Sequence, residues 1–234
     1  MTDERYYSEF ALAAIRGQLE RCGKLNLLPP ALRQKPISEL TEADVASAYE
    51  VAKKNGIKIY DFKRTHRDMP RVQRVLGILK GLCPSSLLDV GSGRGVFLLP
   101  FLDEFPDAQV AVLEILASRV QLWEDIVRGG VARVSVKAAD VCTAPYPPNS
   151  FDAVTMLEVL EHIPDYRGAI AAAVSMARKY VVATVPSRED DNPEHIHLLT
   201  KECLQEAFSA AGASHCTFGG VPGHLIVIAG KEAL

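Results

Sequence analysis

From residue 86 onward the sequence alternates short apolar runs with stretches of helical period, and that alternation restricts the fold more than any other feature of the chain. The runs at 86–90, 110–114, 134–138, 153–157 and 180–185 are rich in Val, Leu and Ala. Between them, 95–105, 117–128 and 167–179 repeat apolar residues at the spacing of one helix face. Strands apolar on both sides and separated by helices are what a parallel sheet covered on both faces requires. A helix is expected at 201–211, followed by apolar runs at 216–218 and 225–229 that flank Gly219-Gly220-Val221-Pro222-Gly223. That pattern reads as an antiparallel pair with a glycine-rich turn, added to the end of an α/β sheet. Pro100 interrupts the helical stretch at 95–105, so a kink or an early first turn is expected there.

The first 80 residues read differently, as helices without strands. Phe10, Leu12, Ala13, Ile15 and Leu19 fall at helical spacing within 5–22, and Leu28-Pro29-Pro30 interrupts the pattern. Thr41 and Asp44 have the arrangement of a capping box, opening a helix that runs to Lys54 and stops at Asn55-Gly56. A further helix begins at Met69-Pro70, with Val72, Val75, Leu76 and Leu79 on one face, and ends by Gly81. The domain organisation expected is a helical N-terminal cap over 1–80 and an α/β domain over 81–234. With 48% hydrophobic residues the 234-residue chain can bury a full core, which excludes disordered and disulfide-scaffold classes. Five cysteines without a CxxC pair read as reduced, mostly buried thiols. No apolar stretch approaches the length of a membrane span, and the N-terminus has no basic-then-apolar export pattern, so a soluble cytoplasmic protein is expected.

The net charge of −3 disfavours a generic nucleic-acid binder but conceals an asymmetry. Within 51–80, Lys53, Lys54, Lys58, Lys63, Arg64, Arg67, Arg71, Arg74 and Lys80 stand against Asp61 and Asp68 alone, a local charge of +7. Such a segment is either a route for an anionic substrate, RNA included, or a solvated face balanced by acids elsewhere.

Leu87-Leu88-Asp89-Val90-Gly91-Ser92-Gly93-Arg94-Gly95 lies where the first strand gives way to its helix. Glycines there let a ligand approach the backbone. A P-loop needs Gly-Lys-Ser/Thr where this chain has Gly95-Val96-Phe97, and a dinucleotide fingerprint needs glycine where Val96 stands. Asp89, just before the loop, repels a pyrophosphate and attracts a cation. S-adenosylmethionine, with an ammonium, a sulfonium and a carboxylate but no phosphate, suits that charge. Glu114 ends the second strand 23 residues after Gly91, at the spacing of an acid that accepts from both ribose hydroxyls. Asp140 follows the third strand and is placed to accept from an adenine amino group.

Leu87–Gly95, 110–114, Ala139-Asp140 and 151–163 together resemble the successive motifs of class I S-adenosylmethionine-dependent methyltransferases. The similarity extends over roughly residues 70–230. It implies a Rossmann-like, seven-stranded, mostly parallel sheet with an antiparallel last strand, and N-terminal helices that cap the cofactor and shape the acceptor pocket. It also implies that Asp89, Gly91, Ser92, Gly93, Gly95, Glu114, Ile115, Asp140, Val141 and Glu158 hold the cofactor.

The stretch Leu157-Glu158-Val159-Leu160-Glu161-His162-Ile163-Pro164 falls at the carboxyl edge of such a sheet. Methyl transfer is an in-line displacement in which positioning does most of the work, with a base needed where the acceptor is a hydroxyl or amine. Glu161, His162, His195 and His197 are the candidates for that base. His195 and His197 alternate, so in an extended segment they point the same way. Their setting is similar to that of the ubiquinone- and menaquinone-type methyltransferases, with Thr200 as an N-cap and 188–192 as a polar lid. Three readings of the cluster stand: packing of the cofactor's methionine end, a His/Glu acid–base pair, or a metal site. In the last, Glu158, Glu161 and His162 with His195 or His197 resemble the two-Glu, two-His site of the small-RNA 3′-terminal 2′-O-methyltransferases, with a divalent ion polarising ribose hydroxyls. The segment holding the second histidines is shorter and less basic than in those enzymes, and no metal is the favoured reading. A small-molecule acceptor on O, N or C is expected. An RNA 3′ end and a non-catalytic, methyltransferase-like partner subunit are the alternatives.

Overall fold

The computed structural model describes residues 6–189 and 191–231. Seven strands form one sheet: β1 (Ser86–Val90), β2 (Gln109–Glu114), β3 (Val134–Ala138), β4 (Phe151–Leu157), β5 (Ala177–Pro186), β6 (His215–Val221) and β7 (His224–Gly230). Their order is β3-β2-β1-β4-β5-β7-β6. The first five run parallel, and β7 is antiparallel to both β5 and β6. The last strand in sequence therefore lies inside the sheet and β6 forms its edge. The helices are α1 (Ser8–Arg21), α2 (Pro30–Gln34), α3 (Glu42–Lys54), α4 (Pro70–Leu82), α5 (Leu98–Glu104), α6 (Ala117–Arg128), α7 (Tyr166–Met176) and α8 (Lys201–Ala210).

The period-two geometry of the strands divides the core. Leu87, Val110 and Val112 join Phe101, Leu122 and Trp123 on one side of the sheet. Leu88, Ala111 and Leu113 join Ile170, Val174, Leu204 and Phe208 on the other. Successive side chains of one strand enter opposite layers, which is why these runs carry no polar face.

Several boundaries differ from the sequence expectation, each for a local reason. The helix expected at 95–105 begins at Leu98, because Gly95 has φ +82° and Phe97 is the N-cap. Pro100 thereby falls in the first turn, where its missing N–H has no intrahelical acceptor, and no kink is needed. The helix expected to reach residue 179 ends at Met176. Arg178 and Lys179 belong instead to β5 and pair with the buried Asp152. The glycine-rich turn is shorter than expected: Gly219 and Gly220 pair with Ile226 and Leu225, leaving Pro222-Gly223 to connect the strands. No cysteine is buried, contrary to expectation; Cys22, Cys83 and Cys142 are exposed and all five are free. Cys22 and Cys83 are helix C-caps, positions that face solvent.

The capping box at Thr41 forms in both directions, with the Thr41 hydroxyl accepting from Asp44 N at 3.3 Å and the Asp44 carboxylate from Thr41 N at 2.8 Å. The helix ends at Asn55, followed by Gly56 at φ +64°. Helix α1 packs along α6, and α3 packs on α1. The α1–α6 crossing is backbone on backbone. A β-carbon on Gly17 would overlap the Asp125 carbonyl, and one on Gly129 would overlap the Ala13 carbonyl. Arg21 clamps the pair by a two-pronged hydrogen bond to the Asp125 carboxylate, 2.9 and 3.0 Å. Among the described residues no helix is long and apolar enough to cross a membrane.

Candidate active site

The carboxyl edge of β1 and β2 is built around one glutamate. Parallel pairing sets Val90 opposite Leu113, so the loop leaving β1 lies beside Glu114. The Glu114 side chain is buried, and its carboxylate accepts from Gly93 N at 3.0 Å, Ile115 N at 2.9 Å and Leu116 N at 3.0 Å. Gly91, at φ +69°, has no room for a side chain, since a β-carbon would meet Val159 at 2.7 Å. From α6, Trp123 donates its indole N–H to the Gly93 carbonyl at 3.1 Å. Trp123 sits at a core position of the helix. It is fully buried, and it also anchors the loop, a role its apolar spacing does not signal.

Asp89 is buried in the sheet, and Thr155 on β4 donates to its carboxylate at 2.6 Å. Burial, opposed by the Ser92 and Thr155 hydroxyls and reinforced by the charge of Glu114, pushes its carboxyl up to about 6.

Seven of the ten residues expected to hold a cofactor line one cavity of about 520 Å³: Gly91, Gly93, Glu114, Ile115, Asp140, Val141 and Glu158. Asp89 and Ser92 line an adjoining cleft of about 180 Å³ that shares Gly91, Gly93 and Glu158 with the first. Gly95 lines neither and is packed beneath, against Leu99 and Trp123. Leu116 was not foreseen; with Ile115 it stands at the cavity wall, the two being 57% and 67% exposed. Asp140 caps a short turn, one oxygen accepting from Cys142 N at 2.8 Å.

The Glu/His candidates separate into two groups. Glu161, His162 and His195 come together, with ligand-capable atoms within 4.8 Å of one another. The rings of His162 and His195 meet edge to face at 4.8 Å between centroids. Nδ1 of His162 faces the Glu194 carbonyl at 2.9 Å. A carbonyl only accepts, so Nδ1 is the donor in this contact. His162 lines the 520 Å³ cavity.

His197 and Glu158 lie outside that group. Nε2 of His197 faces the carbonyls of Ile163 and Pro164 at 3.1 and 3.3 Å and so carries a proton committed to them; its ring meets Tyr166 edge-on. His195 and His197 line one further cavity together, while their rings meet different partners, His162 and Tyr166. Thr200 is the N-cap expected, accepting from Cys203 N at 3.3 Å. Arg188, Glu189 and His195 line a third cavity; Asp190 of the expected lid lies outside the described residues. Glu158 ends in the left-handed region, φ +57°, with Thr184 donating to its Oε1 at 2.8 Å. Arg71 of α4 approaches Oε1 at 3.3 Å, and His224 Nδ1 lies 3.0 Å from Oε2.

Within 1–80, Arg71 and Val72 reach the cleft beside the glycine loop. Five of the nine cations in 51–80 have an acid partner among the described residues. Lys53 pairs with Glu50, Arg64 with Glu9 and Asp103, Arg67 with Asp103 and Glu104, Lys80 with Glu104, and Arg71 with Glu158.

Residues 88–180, which hold the glycine loop, Glu114, Asp140 and the Glu/His stretch, match the methyltransferase domain family. Over that segment the chain is similar to a methyltransferase domain. The ubiquinone biosynthesis O-methyltransferase of Serratia proteamaculans is 29% identical over 120 residues, covering 50% of this chain and 49% of that protein. The chain thus spans about half the length of the curated relatives it matches. A SAM-dependent methyltransferase from Aquifex aeolicus superposes with a TM-score of 0.57 at 21% identity, over 71% of this chain and 93% of that one. Magnesium protoporphyrin IX methyltransferase from Synechocystis, solved with bound SAM, gives 0.55 at 17% identity, over 69% of this chain and 78% of that one. The sheet order and the antiparallel β7 are those of the class I methyltransferase fold.

Proposed function

We propose that the chain binds S-adenosylmethionine in the 520 Å³ cavity and transfers its methyl group to a small-molecule acceptor, at a hydroxyl oxygen. The observation that carries this reading is the charge of the cavity wall. Glu114, Asp140, Glu158 and Glu194 line it, and no Lys or Arg does. Such walls oppose a pyrophosphate and favour a positively charged nucleoside without phosphate. The residues present fit that group. Glu114 has lone pairs beyond those used by the loop N–H groups, available to ribose hydroxyls, and Asp140 stands at the end of β3 for the adenine amino group.

The cofactor supplies a methyl group on a sulfonium leaving group. The chain's own part is to orient an acceptor and take its proton. His162 suits the second task, since its Nδ1–H is fixed on a carbonyl and its Nε2 lone pair is the ring's remaining basic site. His197 does not, its Nε2 proton being held by two carbonyls. The likeness to ubiquinone O-methyltransferases favours an oxygen acceptor over nitrogen or carbon.

A second reading has one specific observation behind it: Glu161, His162 and His195 are a mixed oxygen/nitrogen donor set of the kind that holds a divalent ion. Metal analysis of protein purified without chelator, and turnover with and without EDTA, separate it from the metal-free base. The RNA alternative is weakened because much of the basic segment is neutralised by Glu9, Asp103 and Glu104. The cofactor reading is tested by titration calorimetry with S-adenosylmethionine and S-adenosylhomocysteine; binding of neither overturns it. Turnover on a panel of phenolic and other hydroxyl acceptors tests the transfer. Cofactor binding without turnover on any acceptor favours the non-catalytic partner subunit instead.

A further inference from the structure

A glycine adopts left-handed and extended conformations at similar cost, so a glycine loop needs outside contacts to hold one shape. The loop at 91–95 has three glycines at positive φ, Gly91 at +69°, Gly93 at +55° and Gly95 at +82°. Backbone bonds tie its two ends: Gly91 N donates to Leu113 O at 2.8 Å, and Gly95 N to Ser92 O at 2.9 Å. Gly93, between them, lines both cavities. Its backbone groups are held by side chains of two different elements, the N–H by Glu114 of β2 and the carbonyl by Trp123 of α6. Held at both groups, Gly93 can turn about neither φ nor ψ. We propose that Trp123 is a positioning residue for the cofactor, its indole N–H locking Gly93 in the conformation that sets the loop against the Glu114 carboxylate. The inference rests on the cofactor reading above and extends it to a side chain that lines neither cavity.

Three observations support the assignment. Trp123 is fully buried and its N–H is committed to the Gly93 carbonyl at 3.1 Å, so removing that donor takes the partner from an obligatory acceptor. The ring is also the floor of the loop, since a β-carbon on Gly95 would stand 3.1 Å from Cζ2 of Trp123. Lastly, a donor positions its acceptor only if its own base is fixed, and α6 meets that condition. Asp125, two residues on and so on the opposite side of the helix, has its carbonyl against Gly17 of α1 and its carboxylate gripped by Arg21. The indole thus projects from a helix clamped at its back, while the peptide it holds belongs to no helix or strand. Core packing alone requires the ring; the position of Gly93 requires the nitrogen.

The test removes the N–H and keeps the ring. Trp123 is the chain's one tryptophan, so growth on β-(3-benzothienyl)alanine, which has sulfur in place of the indole N–H, alters this position alone. Calorimetry is expected to show S-adenosylhomocysteine and 5′-methylthioadenosine both binding about tenfold more weakly to that protein. The two ligands share the ribose, and apparent affinity falls in proportion to the loops left in the competent conformation. Trp123→Phe, which also lacks the donor, should lose at least as much, and a binding stoichiometry near one shows that the molecules counted are folded. Wild-type affinity in the benzothienyl protein overturns the proposal and leaves Trp123 a packing residue. So does a reduced stoichiometry at unchanged affinity, or a loss confined to S-adenosylhomocysteine. Wild-type protein that binds neither compound overturns the cofactor reading instead.

Discussion

Asp89 and Glu114 stand near the ends of neighbouring strands but are held differently. Glu114 is bonded to three loop N–H groups, whereas Asp89 has only the Thr155 and Ser92 hydroxyls to oppose its burial, which raises it from 3.8 to about 6. Between those values the folded chain binds more protons than the unfolded one. The stabilising contribution is therefore full below the ordinary value and is lost as pH rises through about 6. Thermal denaturation from about pH 4 to about pH 7 should show a decline that Asp89→Asn removes. Affinity for a cationic cofactor should move the other way in wild type, rising as Asp89 ionises through about pH 6, and Asp89→Asn should bind weakly with a flatter profile. At His162 the expected outcome is kinetic. His162→Gln should lower kcat by about a hundredfold or more while leaving S-adenosylhomocysteine affinity near wild type, as read by single-turnover kinetics and calorimetry. The acids were legible in the sequence because each follows an apolar run. The partner of His197 was not, because Ile163 and Pro164 lie more than 30 residues away and contribute carbonyls, which every residue has.

The α1–α6 crossing ties an N-terminal helix to the helix that holds the glycine loop. Gly17 and Gly129 let the two backbones touch, and Trp123 on α6 carries the contact on to Gly93. Gly17→Ala or Gly129→Ala should destabilise the protein by about 1–3 kcal/mol in urea denaturation, because the added carbon meets backbone that cannot yield cheaply. Gly77→Ala is the internal control. Nothing lies within 4 Å of a β-carbon there, in the middle of α4, and replacing a helical glycine should stabilise by about 0.5–1 kcal/mol. Composition does not distinguish these glycines; only the helix on the other side does.

Across the whole molecule, the +7 of the 51–80 segment is offset in part by acids from elsewhere in the chain. Arg64, Arg67 and Lys80 meet Glu9, Asp103 and Glu104, and Arg71 turns inward to Glu158. Fluorescence anisotropy with a single-stranded RNA oligonucleotide at physiological salt should give only weak, strongly salt-dependent binding, with Kd of about 10⁻⁴ M or weaker. Tight binding that survives raised salt would restore the RNA alternative.

Local periodicity and residue type determined the elements: two of the five parallel strands have the bounds expected, the other three begin one to three residues earlier, and the acids at the strand ends follow from the same pattern. A strand buried on both faces and a glycine loop at its end are consequences of neighbouring residues, so they are written in the order of the chain. The tertiary structure decided which nitrogen of His162 faces a carbonyl, that Glu158 lies beside Arg71 and His224 rather than with Glu161, and which cations of the basic segment meet acids. Each of these depends on a hydrogen bond or charge contact between residues distant in sequence. Such contacts act over a few ångströms, and only the packing of the sheet and its helices sets those distances.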